Sequence, residues 1–188
     1  MALASMRGHG YFNASNGGHP SPFEHKERTP METPRFVTPK VAPGLYTAML
    51  ALEKYLHECG LGEKLLTLIK LRASQLNGCG FCIDMHWKDL RVLGETEQRL
   101  YGLDAWEESP YYTDRERAAL AWTEAVTFVA EGHVPASVYE AVKPHFSDKE
   151  LADLTGAIAT INAWNRLAVA SRTTPGTYQP PKAAQKEG

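Results

Sequence analysis

Apolar residues return every three to four positions along most of residues 45–171, the period of helices that turn one face inward. Leu45, Met49, Leu52, Leu56 and Cys59 fall on one stripe, and Gly60 supplies a stop. A second helix is expected over 63–75, with Leu65, Leu68, Ile69, Leu71 and Leu76 apolar, until Asn77-Gly78 breaks it. A third starts near Cys79 and ends by Gly94. Thr113 and Glu116 have capping-box spacing ahead of a helix over 118–130, with Gly132 as its stop. Pro135 opens a short helix to about Val142. Ser147 and Glu150 repeat the capping box before a long helix to about Ser171, which is apolar over most of its circumference and is expected to be central. No stretch alternates with a period of two, and no internal repeat is visible. The expected fold is an all-α bundle.

The ends differ from the middle. Residues 1–40 are rich in Gly and Pro and lack a sustained apolar period, so they read as a mobile arm. A helical domain over 41–172 follows, then an irregular tail over 173–188 containing Pro175, Pro180 and Pro181. The 188 residues, 43% hydrophobic and 22% charged, suffice for one well-formed core. A net charge of -2 gives no reason to expect nucleic acid or an anionic membrane as a partner. No apolar run is long enough for a membrane span, and no secretory signal is visible. Three cysteines, Cys59, Cys79 and Cys82, are an odd number for a disulfide framework, so a cytoplasmic location is expected.

Candidate chemistry concentrates in Asn77-Gly78-Cys79-Gly80-Phe81-Cys82-Ile83-Asp84-Met85-His86. On a helix, Cys79 and Cys82 are three residues apart and His86 follows Cys82 by four, so all three share a face. Two sulfurs at that spacing can close a disulfide. A helix start favours a thiolate through its free N–H groups and macrodipole, and a histidine one turn on can exchange the thiol proton. These are the parts of a dithiol redox centre. A structural zinc site using the same three residues, with Cys59, His57 or His145 as the fourth ligand, competes with it. So do a plain buried cysteine pair and a non-catalytic regulatory disulfide.

The run from Leu68 through His86, Leu-Ile-Lys-Leu-Arg-Ala-Ser-Gln-Leu-Asn-Gly-Cys-Gly-Phe-Cys-Ile-Asp-Met-His, resembles the core of the AhpD-like alkylhydroperoxidases of the carboxymuconolactone decarboxylase family. The resemblance extends through 113–133 and Asn162-Ala163-Trp164-Asn165-Arg166, covering roughly 36–178. It implies a homo-oligomer that reduces a peroxide substrate without metal, haem, flavin or other cofactor. In that scheme Cys82 attacks the peroxide and Cys79, the more exposed cysteine, resolves the sulfenic acid to a disulfide. His86 relays the proton, and an external dithiol reduces the enzyme.

One position departs from the family pattern. A glutamate usually precedes the first cysteine by twelve residues; here that residue is Thr67, which has no acid–base capacity near neutral pH. Some members also carry a histidine where this chain has Phe81. Two alternatives therefore stand beside the peroxidase: a non-peroxidatic redox sensor or exchange protein, and a lactone decarboxylase-like lyase, which needs no cysteine pair. Glu63, one turn before Thr67, and Glu124, on a mostly apolar helix face, are accessory candidates for the proton relay. Glu63 also suits the first turn of its helix, and Glu124 is expected to form a structural pair with Arg166. Cys59, Trp122 and Trp164 read as core residues, the tryptophans with the option of walling a pocket. Asp84 reads as exposed, and His133 and His145 as helix-end residues.

Overall fold

Nine α-helices follow one another in a computed structural model that describes residues 33–181: α1 (Thr38–Val41), α2 (Pro43–Glu58), α3 (Glu63–Leu76), α4 (Gly80–Val92), α5 (Glu97–Tyr101), α6 (Asp114–Thr127), α7 (Val129–Gly132), α8 (Ala136–Val142) and α9 (Asp148–Ser171). Short 3-10 turns at Leu103–Ala105 and Lys143–His145 complete the described helical structure, which includes no strand. The all-α expectation therefore holds for these residues. Most of the expected arm lies outside them, and α1 begins inside its last few residues. None of the described helices is long and apolar enough to cross a membrane.

Both expected capping boxes form. The Thr113 and Ser147 side chains accept from the backbone N–H of Glu116 and Glu150, whose carboxylates reach back to the cap backbone. The helix expected over 118–130 is instead two pieces, because Phe128 leaves helical geometry between α6 and α7. The segment between Gly94 and Thr113, unassigned from the sequence, contains α5. Thr96 caps it, and Leu100, Leu103 and Trp106 are buried. Five residues are too few for periodicity to declare a helix.

The most enclosed element is α3 rather than α9: every residue from Leu65 to Ser74 is buried. Two apolar clusters share it. Leu65, Leu66 and Ile69 pack with Leu56, Trp122, Leu154 and Ile158 on one side, and Leu68 and Leu71 with Leu90, Leu100, Leu103 and Leu120 on the other. Lys70 and Arg72, which a sequence pattern assigns to solvent, are buried because each meets a carboxylate from another part of the fold. The α2 stripe is only partly inward. Leu56 is buried and Cys59 packs against the core, whereas Leu45 and Leu52 are exposed. With little beyond α1, α3 and α9 nearby, α2 has too few neighbours to cover a whole face.

Candidate active site

Asn77 and Gly78 make the turn that sets the cysteine pair. Gly78 takes φ 64°, a left-handed conformation that glycine adopts without a Cβ penalty. The chain then enters α4 with Cys79 as its N-cap. The Asn77 amide fixes this turn to α9 by donating to Oδ1 of Asn162 and Asn165, at 3.0 and 2.9 Å. Asn165 in turn donates to Ser74 Oγ, 3.0 Å away.

Cys79 and Cys82 form a disulfide with their Cα atoms 5.4 Å apart. Cys82 is in the first turn of α4, where N–H groups lack intrahelical acceptors. Cys79 is not the more exposed cysteine: it and Cys82 are alike buried. The tail crosses the start of α4 beside them, where a Cβ at Gly80 would stand 3.1 Å from Pro175. Cys82, and not Cys79, lines a cavity of about 760 Å³. Phe36, Leu50, Phe81, Met85, Trp164 and Leu167 supply apolar parts of its wall.

His86 lines the same cavity and is buried. Its Nδ1 is 3.9 Å from Asp89 Oδ2, and its buried Nε2 has no hydrogen-bond partner among the described residues. Burial, reinforced by the Lys70 ammonium, pushes His86 down to about 3, so near neutral pH the ring is uncharged. Burial raises the Asp89 carboxyl, an effect that a hydrogen bond from Tyr178 partly offsets.

The accessory candidates separate. Thr67 lines the cavity, but its hydroxyl donates to the Glu63 carbonyl at 2.8 Å, back along its own helix. Glu63 reaches the cavity rim with its carboxylate on His57 Nδ1 at 2.6 Å. Glu124 is absent from the cavity wall, and its expected pairing with Arg166 does not occur. Instead Glu124 Oε1 accepts from Arg72 Nε at 2.8 Å and Trp106 Nε1 at 2.7 Å, while exposed Arg166 donates to Asn162 on its own helix. The i−4 acceptor is always within reach of a helical side chain, whereas a partner on another helix depends on register.

Trp122 is a core residue, donating to Thr155, and Trp164 walls the cavity while donating to Glu53 at 2.9 Å. Asp84 is half-buried rather than exposed: it pairs with Lys88 and accepts from Gly176 of the tail. Among the described residues, no three His, Cys, Asp or Glu side chains are grouped to hold a metal ion.

Sequence reasoning missed Glu53, Lys70, Asp89 and Tyr178. Lys70 shares a helix face with Thr67, and Asp89 is one turn past His86, so local spacing could have found both. Nothing local marks Glu53, which accepts from Lys70 at 2.5 Å, or Tyr178, which donates to Asp89 Oδ1 at 2.7 Å.

Residues 43–125 match the carboxymuconolactone decarboxylase family. The uncharacterized protein YdfG of Bacillus subtilis is 42% identical over 131 residues, 70% of this chain and 89% of YdfG. A solved structure from Agrobacterium tumefaciens, of a protein of unknown function and candidate antioxidant defence protein AhpD, is 44% identical. It superposes with a TM-score of 0.75, covering 77% of this chain and 99% of that one. The peroxidase-related AhpD-core protein of Ralstonia eutropha shares the fold at 22% identity, with a TM-score of 0.66 over 74% of this chain and 75% of its own.

Proposed function

Since the chain belongs to the carboxymuconolactone decarboxylase family and is AhpD-like, we propose that it is a thiol-dependent hydroperoxide reductase. The observation that carries this reading is the placement of Cys82. It has Cys79 at bonding distance on one side and, on the other, a partly apolar cavity shared with an uncharged histidine.

In the reduced enzyme, His86 Nε2 serves as the transient acceptor of the Cys82 proton while the thiolate attacks one peroxide oxygen. The O–O bond breaks, and the departing oxygen takes a proton and leaves as water or an alcohol. Sulfur has lost two electrons and become a sulfenic acid. Cys79 then attacks that sulfur, water leaves, and the Cys79–Cys82 disulfide forms. An external dithiol returns two electrons by exchange. The protein supplies desolvation, the helix terminus and the histidine, with no cofactor in any step. The reading includes a cytoplasmic homo-oligomer; the exposed apolar side chains of Val41, Leu45, Leu52 and Tyr55 support the assembly.

Steady-state consumption of tert-butyl hydroperoxide with dithiothreitol as reductant tests the proposal, and loss of turnover in Cys82→Ser is expected. The tied hydroxyl of Thr67 supports a second reading, a redox sensor. Stoichiometric oxidation of the dithiol without turnover would select it. Consumption of a lactone that survives thiol alkylation would favour a lyase over both.

A further inference from the structure

The family's relay glutamate is missing at Thr67, yet His86 lies beside a carboxylate that no position of the Cys-x-x-Cys-x-x-x-His motif includes. We infer that Asp89, oriented by the Tyr178 hydroxyl, is the positioning carboxylate for His86 and takes over the work of the missing glutamate. This rests on the hydroperoxide reading for its purpose, though not for its geometry.

The cavity's other carboxylates are each engaged elsewhere. Glu53 holds Lys70 and Trp164, and Glu63 holds His57. Asp89 differs. Its Oδ1 accepts from Tyr178 at 2.7 Å, which leaves Oδ2 facing His86 Nδ1 at 3.9 Å. That separation is an ion-pair distance, longer than a hydrogen bond. A carboxylate at Nδ1 keeps the proton on that nitrogen and leaves Nε2 as the basic one. Nε2 is the buried atom that lacks a partner. Thus the nitrogen that the Asp89 contact leaves basic is the buried, unpartnered one.

The chemistry follows the thiol step. When the Cys82 proton moves to Nε2, the imidazolium that forms faces Asp89 through its Nδ1–H, and the new positive charge is stabilised in a desolvated site. When the peroxide O–O bond breaks, that proton goes from Nε2 to the departing oxygen and His86 is neutral again. Asp89 neither gains nor loses a proton over the cycle. Lys70, Glu53, Glu63, His57, Tyr46 and Tyr178 also line the cavity, and Lys70 opposes the imidazolium. A negative partner at His86 is therefore needed more here than in an uncharged pocket.

The test uses the full chain, reduced, with Cys59→Ser and Cys79→Ser, so that Cys82 is the single thiol. Its iodoacetamide alkylation is followed from about pH 5 to about pH 10 beside stopped-flow oxidation by tert-butyl hydroperoxide. Asp89→Asn should raise the apparent Cys82 pKa by about one unit and slow oxidation near neutral pH about tenfold. Asp89→Glu should recover most of both, and Tyr178→Phe should show a smaller loss of the same sign. An unchanged alkylation midpoint in folded Asp89→Asn, or equal damage in Asp89→Glu, overturns the inference. If Asp89→Asn does not fold, an unchanged midpoint in Tyr178→Phe overturns it. Should peroxide fail to oxidise the parent protein, the hydroperoxide reading falls, while the alkylation midpoints still decide the role of Asp89.

Discussion

The Thr67 hydroxyl donates to the backbone carbonyl of Glu63, 2.8 Å away, and so turns back along α3 although Thr67 lines the cavity that holds Cys82. A threonine in a helix readily makes this i−4 bond. The one polar group the chain offers at this position is thereby spent on its own helix.

Restoring a carboxylate there should speed the first oxidation. Thr67→Glu adds a charge at a site only 3% exposed, with Lys70, already held by Glu53, one turn along the same face. We expect Cys82 oxidation by peroxide about tenfold faster and a lower apparent thiol pKa, measured by stopped flow on the reduced protein. No acceleration in a folded variant at any pH tested would mean that the missing glutamate does not limit the site, and would turn attention to Asp89.

The two cysteines should fail differently. Cys82→Ser removes the sulfur that faces the cavity and should abolish reaction with peroxide. Cys79→Ser should still react once, leaving a sulfenic acid at Cys82 that dimedone traps for mass spectrometry. The limited oxidation of the parent protein should consume two thiols and spare Cys59, which is free here. Trapping at Cys79 instead would reverse the assigned roles.

Arg72 should matter to stability far more than Arg166. Arg72 binds Glu124 at 2.8 Å and Asp104 at 2.5 Å from a side chain that is 9% exposed. Arg72→Met strands the partly buried Glu124 carboxylate with Trp106 alone and should cost about 3 kcal/mol in urea unfolding. Arg166→Met, on an exposed position, should change stability by about 0.5 kcal/mol or less. Equal losses would reinstate Arg166 as the partner of Glu124.

Acid should weaken the oxidised fold through His86. The unfolded chain protonates this histidine near its ordinary 6.5, but the folded protein does so only near 3. Between those values the unfolded state holds the extra proton, so this contribution is complete above pH 6.5 and declines as pH falls toward 3. Asp89, raised by burial, acts in the opposite sense through its own titration. His86→Gln should therefore flatten the dependence of unfolding free energy on pH across this window, read by denaturant melts at several pH values. A slope identical to the parent's would show that His86 is not held neutral.

Helix periodicity, the capping pairs Thr113/Glu116 and Ser147/Glu150, and the Cys79, Cys82 and His86 spacing could all be read from the sequence by itself. Each is a local property, fixed within about two helical turns. The family resemblance followed from the same local runs. The tertiary structure alone decided where Lys70 and Arg72 go, since burial of a charge depends on Glu53 and Glu124 arriving from elsewhere in the chain. It also decided that Glu124 meets Arg72 rather than Arg166, because partners on separate helices are set by register. Above all it brought Tyr178 from an irregular tail onto Asp89, a pairing across 89 residues that no periodicity encodes.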